Sequence, residues 1–177
     1  MPRSKGALFW PVLLAVTGAD VLTKGIAVHW LVPQHLPHEV LGDAVRFTLV
    51  YNPGAAFGLF LGGQSRWIFT ALTVLALGVL ARLYWKTPPG HVQRILALAL
   101  VCGGAIGNLL DRLRSGMGVV DFIDVGLRDA RWPTFNVADM AVSVGAVLLA
   151  WVLWAEDHQA SSVMATPVPG EQPGEAS

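Results

Sequence analysis

Four long apolar runs constrain this chain more than any other feature of its sequence. They cover about residues 6–30, 67–85, 93–112 and 137–155. The outer two approach the roughly 20 residues that a helix needs to cross a bilayer, and the third reaches that length only with its polar flanks. Of the 177 residues, 54% are hydrophobic and 14% are charged, and the mean hydropathy is +0.54. An ordinary soluble domain has about a quarter of its residues charged. The sequence therefore predicts an all-α membrane protein with four transmembrane helices.

The composition also excludes several classes of function. The 12 basic and 12 acidic residues cancel, so the chain lacks the positive field that attracts nucleic acid. The single cysteine, Cys102, lies in the third apolar run and provides neither an internal disulfide nor a cysteine metal cluster. No glycine-rich nucleotide loop follows a predicted strand. We therefore expect no metal, no other cofactor and no nucleic acid partner.

The connections between the apolar runs differ greatly in length. Residues 86–91 form a tight turn, whereas residues 31–66 and 113–136 form two long connections, which must lie on the same side of the membrane. In the first long connection, residues 44–51 partly alternate and are rich in β-branched and aromatic side chains, which predicts a strand. In the second, residues 119–127 fit either a strand or an interfacial helix, and the pattern does not decide between them.

The two ends of the chain call for different interpretations. Basic residues followed by an apolar stretch resemble a secretory signal peptide, but the apolar pattern continues to Leu31, which favours an uncleaved first span. Residues 1–157 are predicted to form one domain, and the polar residues 158–177 a disordered tail.

Arginine and lysine occur on both sides of the membrane, and only the basic start of the first span favours cytoplasmic termini. Several of the arginines in the long connections and their margins have other candidate duties beside carboxylates; these arginines are Arg46, Arg66, Arg112, Arg114, Arg128 and Arg131.

Three polar side chains lie at a similar depth in different spans. Counting about 1.5 Å per residue from the side of the chain termini places Asp20, Asn108 and Asp139 roughly 21–25 Å into their spans. All three therefore lie near the side that carries the long connections. An ionised carboxylate at such a depth is costly and marks a candidate functional site. Asp121 precedes Asp139 by a short loop, so the two carboxylates can meet. Structural explanations also exist, because Asn136 can cap the fourth helix and Asp20 can pair with a lysine at helical spacing.

Paired aspartates favour hydrolysis as the chemistry. Two close carboxylates share one proton, so one of them can activate water while the other protonates a reacting group. No serine, cysteine or histidine offers an equally placed nucleophile. Asp124 is the rival for the role of base, but it lies further into the polar loop. A non-enzymatic membrane carrier or assembly factor, with Asp20 and Asp139 as a proton or ion relay, is the alternative.

Five segments together resemble the bacterial lipoprotein signal peptidase family, signal peptidase II. They are Asp20 with Lys24, YNPGAAFG at 51–58, GGAIGNLLDR at 103–112, VVDFI at 119–123 and FNVAD at 135–139. The resemblance implies that Asp121 and Asp139 are catalytic. It implies a supporting or substrate-binding role for a further set, Asp20, Lys24, Asn52, Gly54, Asn108, Asp111, Arg112 and Asn136. For Asp111 and Arg112, an ion pair or interfacial anchor is an equally good explanation.

The same resemblance implies a substrate, a location and a fold. The substrates would be prolipoproteins whose lipobox cysteine carries diacylglycerol, cleaved just before that cysteine in the bacterial inner membrane. The fold would have both termini in the cytoplasm, a small extracytoplasmic β-cradle from the first long connection and an interfacial helix in the second. Several aromatic residues fall near the predicted interface and form either an aromatic belt or the lining of an acyl-chain groove, namely Phe57, Phe60, Trp67, Trp132 and Phe135.

Overall fold

The computed structural model describes residues 4–54 and 64–164, with side chains as far as residue 158. Within this part of the chain, four helices are long and apolar enough to cross a membrane. They are α1 (Gly6–Trp30), α2 (Ser65–Lys86), α3 (Val92–Arg114) and α4 (Val137–Met164). The prediction of four membrane-spanning helices is therefore confirmed.

The end of α4 differs from the prediction. The helix continues to Met164, whereas the sequence predicted the end of the span at 155 and a disordered tail from 158. Good helix formers such as glutamate, glutamine and alanine follow the apolar run and allow the helix to continue beyond it. The rest of the predicted tail, residues 165–177, lies outside the described residues.

Helix α3 lies at the centre of the bundle. It packs against α1, α2 and α4, whereas α2 packs mainly against α3 and touches α1 through the rings of Tyr84 and Phe9. One cluster of buried side chains joins α1 to α3, formed by Phe9, Leu13, Ile95, Leu98, Ala99 and Cys102. Cys102 is 5% exposed within this cluster, which agrees with a small packing residue. The position of α3 leaves much of the outer surface of α2 and α4 available to lipid.

Polar contacts tie the helix ends together at the tight α2–α3 turn, on what we call the turn side. Arg94 Nη1 donates to Glu156 Oε2 at 3.0 Å and so links the start of α3 to α4. The Nζ of Lys5 donates to three carbonyl oxygens near the end of α2, those of Tyr84, Trp85 and Thr87, at 3.0, 3.0 and 3.2 Å. The last carbonyls of a helix lack intrahelical partners, so Lys5 stabilises the end of α2.

On the opposite side, the loop side, both long connections contribute to one antiparallel sheet. Its strands are β1 (His38–Leu41), β2 (Val45–Asn52), β3 (Val119–Leu127) and β4 (Ala130–Arg131), in the order β1-β2-β3-β4. The strand expected at residues 44–51 is therefore confirmed as β2. The shared sheet also confirms that the two connections lie on the same side of the bundle.

The second long connection corrects an expectation. Residues 119–127 form β3, and the described residues between α3 and α4 contain no helix, so the interfacial helix implied by the resemblance is wrong here. The reason is that β3 has backbone partners on both sides. It pairs with β2 on one side, and Ile123 pairs with Phe135 on the other. The sheet consequently combines both connections, whereas a cradle from the first alone was expected.

Candidate active site

Asn136 caps helix α4 and joins the two candidate catalytic carboxylates. Its Oδ1 accepts a hydrogen bond from the backbone N–H of Asp139 at 2.9 Å, and Asp139 Oδ2 accepts from the N–H of Asn136 at 3.2 Å. This reciprocal pair is a capping box. The Nδ2 of Asn136 also donates to Asp121 Oδ1 at 2.7 Å. Capping and carboxylate support are thus combined in one residue, and the structure brings Asp121 and Asp139 together through it.

Asp121 is the more deeply buried of the two carboxylates, with 3% of its surface exposed. Its Oδ2 accepts a hydrogen bond from Asn52 Nδ2 at 3.2 Å. Burial, followed by the nearby charge of Asp139, raises the pKa of Asp121 to about 7, against the opposing hydrogen bonds from Asn52 and Asn136. Burial disfavours the charged form of a carboxyl group. Asp121 therefore retains its proton up to about neutral pH.

Asp139 is only half-buried, and its carboxylate accepts a hydrogen bond from a side chain of α3. Asn108 Nδ2 donates to Asp139 Oδ1 at 2.8 Å. The other end of this amide, Asn108 Oδ1, accepts from Lys24 Nζ at 2.8 Å and from Asn136 Nδ2 at 3.1 Å. Two donors at the oxygen fix the orientation of the amide. The N–H groups of Asn108 and Asn136 thus hold the Asp139 carboxylate in place at the N-terminus of α4.

A buried ion cluster supports the site from α1 and α3. Lys24 lies 2.8 Å from Asp20 Oδ2 and 2.9 Å from Asp111 Oδ2, and its side chain is 4% exposed. Asp20 Oδ1 accepts from the N–H of Ala138 at 2.9 Å, and Asp111 Oδ2 accepts from the N–H of Val120 at 3.2 Å. Buried charges are tolerated when they are paired and hydrogen-bonded. The cluster therefore ties α1 and α3 to the starts of α4 and β3.

Two glycines permit close contacts in the site. A Cβ atom at Gly107 would collide with the Asp20 carboxylate, so glycine is needed where α3 passes that side chain. Gly54 has a φ of +110°, which side chains rarely allow. Its N–H donates to Asn52 Oδ1 at 3.0 Å and so directs the Asn52 amide nitrogen towards Asp121. The motif that begins with these residues continues to Gly58, but residues 55–63 lie outside the described part of the chain.

Arg112 lies beside the two carboxylates at the end of α3. Its Nη1 donates to the carbonyl of Asn108 at 3.3 Å, and its charge interacts with those of Asp139, Asp121 and Asp111. The guanidinium carbon lies 6.0 Å from the centre of the Phe69 ring. Arg112 is therefore placed as a countercharge for the carboxylates as well as an anchor for the end of α3.

Asp124, the rival candidate base, belongs to a separate ion cluster. Its Oδ2 accepts from Arg46 Nε at 3.2 Å and from Thr48 Oγ1 at 3.1 Å, and its Oδ1 accepts from Arg131 Nε. Although burial opposes it, hydrogen bonding from Arg131, Thr48 and Arg46 lowers the pKa of Asp124. The sequence did not predict this cluster. The arginines in the long connections were its only signal.

An apolar groove runs along α4 from the site. Its upper part has a volume of about 390 Å³ and is lined by Trp132, Phe135, Asp139, Met140, Ser143 and Val144. Its continuation has a volume of about 580 Å³ and is lined by Ser143, Val144, Val147, Leu148 and Trp151. From Asp139 to Trp151 the helix rises about 18 Å. The half-buried carboxylate thus stands at the polar end of a long apolar surface.

The fold and the site together define a multi-pass membrane protein with a pair of carboxylates at one membrane surface. The model of the signal peptidase II family matches residues 12–155. A lipoprotein signal peptidase from Teredinibacter turnerae is 47% identical over 150 residues, covering 82% of this chain and 86% of that protein. Another, from Moorella thermoacetica, is 42% identical over 146 residues, covering 82% and 91%. The chain belongs to the signal peptidase II family.

Solved structures agree with this assignment. A bacterial membrane enzyme determined by the in meso method superposes with a TM-score of 0.72 at 27% sequence identity, covering 94% of this chain and 92% of that one. A second such enzyme has a TM-score of 0.70 at 30% identity and covers 80% and 89%. Membership of a peptidase family favours an enzyme over a carrier or assembly factor.

Proposed function

We propose that this protein is a membrane aspartic endopeptidase that removes signal peptides from diacylglyceryl-modified prolipoproteins, cleaving just before the lipidated cysteine. Its relatives are named lipoprotein signal peptidases. The observation that carries the aspartic mechanism is the position of Asn136, which donates to Asp121 through its side chain and to Asp139 through its backbone. Two carboxylates held by one residue can act on a single water molecule bound beside both of them.

The different environments of the two carboxylates assign their roles. Asp139 is half-buried at the N-terminus of α4, beside the open groove, and acts as the general base. Asp121 is buried, with its pKa raised to about 7, and acts as the protonated acid. A general base must be able to accept a proton at the working pH, and a general acid must carry one. The proposal assigns the first role to Asp139 and the second to Asp121.

The reaction then proceeds in two steps. In the first, Asp139 removes a proton from water, the hydroxide adds to the scissile carbonyl carbon, and Asp121 protonates the carbonyl oxygen. In the second, the protonated Asp139 gives its proton to the leaving amine nitrogen, the C–N bond breaks, and Asp121 recovers its proton from the tetrahedral intermediate. Both aspartates return to their starting states. Arg112 stabilises the negative charge that the site carries throughout the cycle.

The surrounding polar residues hold this pair in its working geometry. Asn108 and Asn52 each direct an amide N–H at one carboxylate. Lys24 fixes the Asn108 amide, and Asp20 and Asp111 compensate its charge. Groups whose own orientation is fixed by neighbours position a reacting atom more accurately than free side chains. We assign these residues to support and reserve the chemistry for Asp121 and Asp139.

The groove along α4 accounts for recognition of a lipidated substrate. It is apolar, open on the membrane side and begins at Asp139. An acyl chain that lies in the groove would place the diacylglyceryl cysteine beside the carboxylates. Trp132 and Phe135 line its upper end and so contribute to the groove as well as to the membrane interface. Such a site would make cleavage depend on lipidation.

Cleavage by purified protein in lipid vesicles tests the proposal. Asp121→Asn and Asp139→Asn should each reduce the turnover of a diacylglyceryl prolipoprotein by at least about 10²-fold, because each removes one proton-transfer group. Binding of the lipidated substrate should persist in both variants. Asp129→Asn, an exposed acid in the β3–β4 turn, is the matched control and should cleave normally. Cleavage at the wild-type rate by either of the first two variants would refute the aspartic mechanism.

A further inference from the structure

The ion cluster around Asp124 connects β2, β3 and β4 with the β1–β2 and β3–β4 turns. Arg131 Nη1 donates to the carbonyl of Asp43 at 2.9 Å, in the β1–β2 turn, and Arg131 Nη2 donates to the carbonyl of Asp124 at 3.2 Å. Arg46 Nη1 donates to Asp43 Oδ1 at 3.1 Å, and the N–H of Arg128 donates to Asp43 Oδ2. The mechanism described above uses none of these side chains.

The cluster lies where β3 meets the segment that leads into α4. After β4, residues 132–135 run antiparallel beside β3, with the N–H of Trp132 donating to Val125 O at 2.9 Å. Further along, the N–H of Phe135 donates to Ile123 O at 3.0 Å, and the N–H of Ile123 donates to Phe135 O at 2.8 Å. Continuing this pairing by one residue brings Asn136 beside Phe122, next to Asp121, whose carboxylate the Asn136 side chain reaches.

The register of this pairing decides where the Asn136 amide points. A slip by one residue in a strand turns each side chain to the opposite face. β4 itself comprises two residues, which provide few backbone hydrogen bonds to resist such a slip. The Arg131 guanidinium, by contrast, contacts both a carboxylate oxygen and the backbone carbonyl of Asp124, a forked geometry that lysine cannot reproduce.

We propose that Asp124 and Arg131 are positioning residues for the catalytic pair: their ion pair fixes the register between β3 and residues 132–136, so that Asn136 reaches Asp121. This inference rests on the proposed function, because it assigns a role in the same reaction. Their side chains are 9% and 15% exposed, so the pair is better shielded from solvent than an ordinary surface ion pair, which contributes little.

Hydrogen exchange provides a test that does not depend on activity. Asp124→Asn and Arg131→Gln should each accelerate amide exchange of Trp132 and Phe135 by about 10-fold or more, since these N–H groups make the register-setting bonds. Exchange in the buried half of α3 should remain unchanged. Unaltered exchange at both amides in a folded variant would overturn the proposal.

Kinetics should show a loss of turnover without a loss of binding. We expect kcat to fall by about 10- to 100-fold in each single variant, because small displacements of catalytic groups have effects of this size, with KM within about twofold of wild type. The double variant should lose no more than either single one, since both remove the same contact. Arg131→Lys keeps the positive charge but cannot make both guanidinium contacts, so its kcat should lie between those of wild type and Arg131→Gln. This variant tests the inference even if the other variants fold poorly.

The pH profile separates positioning from a general structural defect. Asp121 is surrounded by Asp139 from α4, Lys24 from α1 and Arg112 from α3, as well as by the Asn136 amide. The hydrogen bond from Asn136 lowers the pKa of Asp121, so its loss should raise that pKa. The alkaline limb of kcat, where Asp121 loses its proton, should therefore move to higher pH. A smaller fraction of folded enzyme would reduce kcat equally at every pH.

Two reference variants make the outcomes distinguishable. Asp129→Asn removes a neighbouring exposed acid and should leave exchange, kcat and the pH profile unchanged. Asp121→Asn, assayed in parallel, reports on the proposed function itself. If Asp121→Asn is inactive while Asp124→Asn and Arg131→Gln retain wild-type kcat, the inference fails and the proposed function stands. If Asp121→Asn remains active, the proposed function fails.

Discussion

The burial of Asp121 suits its proposed role as a catalytic acid and lowers stability above acidic pH. A carboxyl group whose pKa is raised on folding, from 3.8 to about 7, binds a proton more tightly in the folded than in the unfolded state. The free energy of unfolding therefore falls as the pH rises from about 4 to about 7 and is constant outside that window. Each pKa unit corresponds to about 1.4 kcal/mol, so Asp121 accounts for at most about 4 kcal/mol over this range.

Replacing Asp121 by asparagine should remove this pH dependence. Asp121→Asn should have a thermal unfolding midpoint close to that of wild type near pH 4.5 and an increasingly higher one, relative to wild type, towards pH 7. Its cleavage activity should be lost across the same range. Thermal unfolding of both proteins in detergent at several pH values measures the difference. A difference that does not change with pH would contradict the assigned cost of the buried carboxylate.

The sequence identified the polar residues of the site better than their contacts. Counting residues along each span placed Asp20, Asn108 and Asp139 at one depth, and the structure joins their helices through Lys24 and the N–H of Ala138. Helical rise is regular, so depth can be predicted. The direction of an amide such as that of Asn136 depends on partners far away in the chain, and no pattern in the sequence records it.

At the scale of elements, the close approach of α1, α3 and α4 depends on Gly107. Gly107→Ala should displace the Asp20 carboxylate and weaken its hydrogen bond to the N–H of Ala138. The cost should be about 2 kcal/mol or more, because both overpacking and an unsatisfied buried group contribute. Thermal unfolding in detergent and the cleavage assay measure the loss of stability and of activity.

Gly78 in α2 provides the matched control. Among the residues that the structure describes, no atom beyond its own stretch of helix backbone lies within 4 Å of the position that its Cβ would occupy. Gly78→Ala should therefore preserve activity and leave stability unchanged or slightly raised. Equal behaviour of the two alanine variants would contradict the claim that the contact at Gly107 determines the geometry of the site.

β3 shows why part of the fold could not be predicted from local sequence. Residues 119–127 are apolar and short, a pattern that fits a strand or an interfacial helix. Two distant segments select the strand: β2 from the first long connection and the segment at Phe135, just before α4. Tertiary pairing of this kind overrides local preference. The helices, whose period and length are local properties, were predicted within a few residues except at the end of α4.

At the scale of the whole molecule, the central position of α3 explains why the site faces lipid. Because α3 packs against the three other helices, α4 keeps one face free, and the groove from Asp139 to Trp151 runs along it. A substrate anchored by acyl chains can therefore approach laterally within the membrane. The sheet lies over the loop side of the site.

The direction in which the molecule crosses the membrane follows from the proposed function. If both termini are cytoplasmic, the loop side is extracytoplasmic and the turn side is cytoplasmic.

The only native cysteine, Cys102, is 5% exposed in the bundle, so cysteines introduced at exposed positions report orientation directly. Glu39→Cys in β1 should react with a membrane-impermeant maleimide in intact spheroplasts. Gly90→Cys in the α2–α3 turn should react only after permeabilisation, and the parent chain should remain unlabelled in both conditions. The opposite labelling pattern would overturn the orientation and place the carboxylates on the side where exported lipoproteins do not arrive.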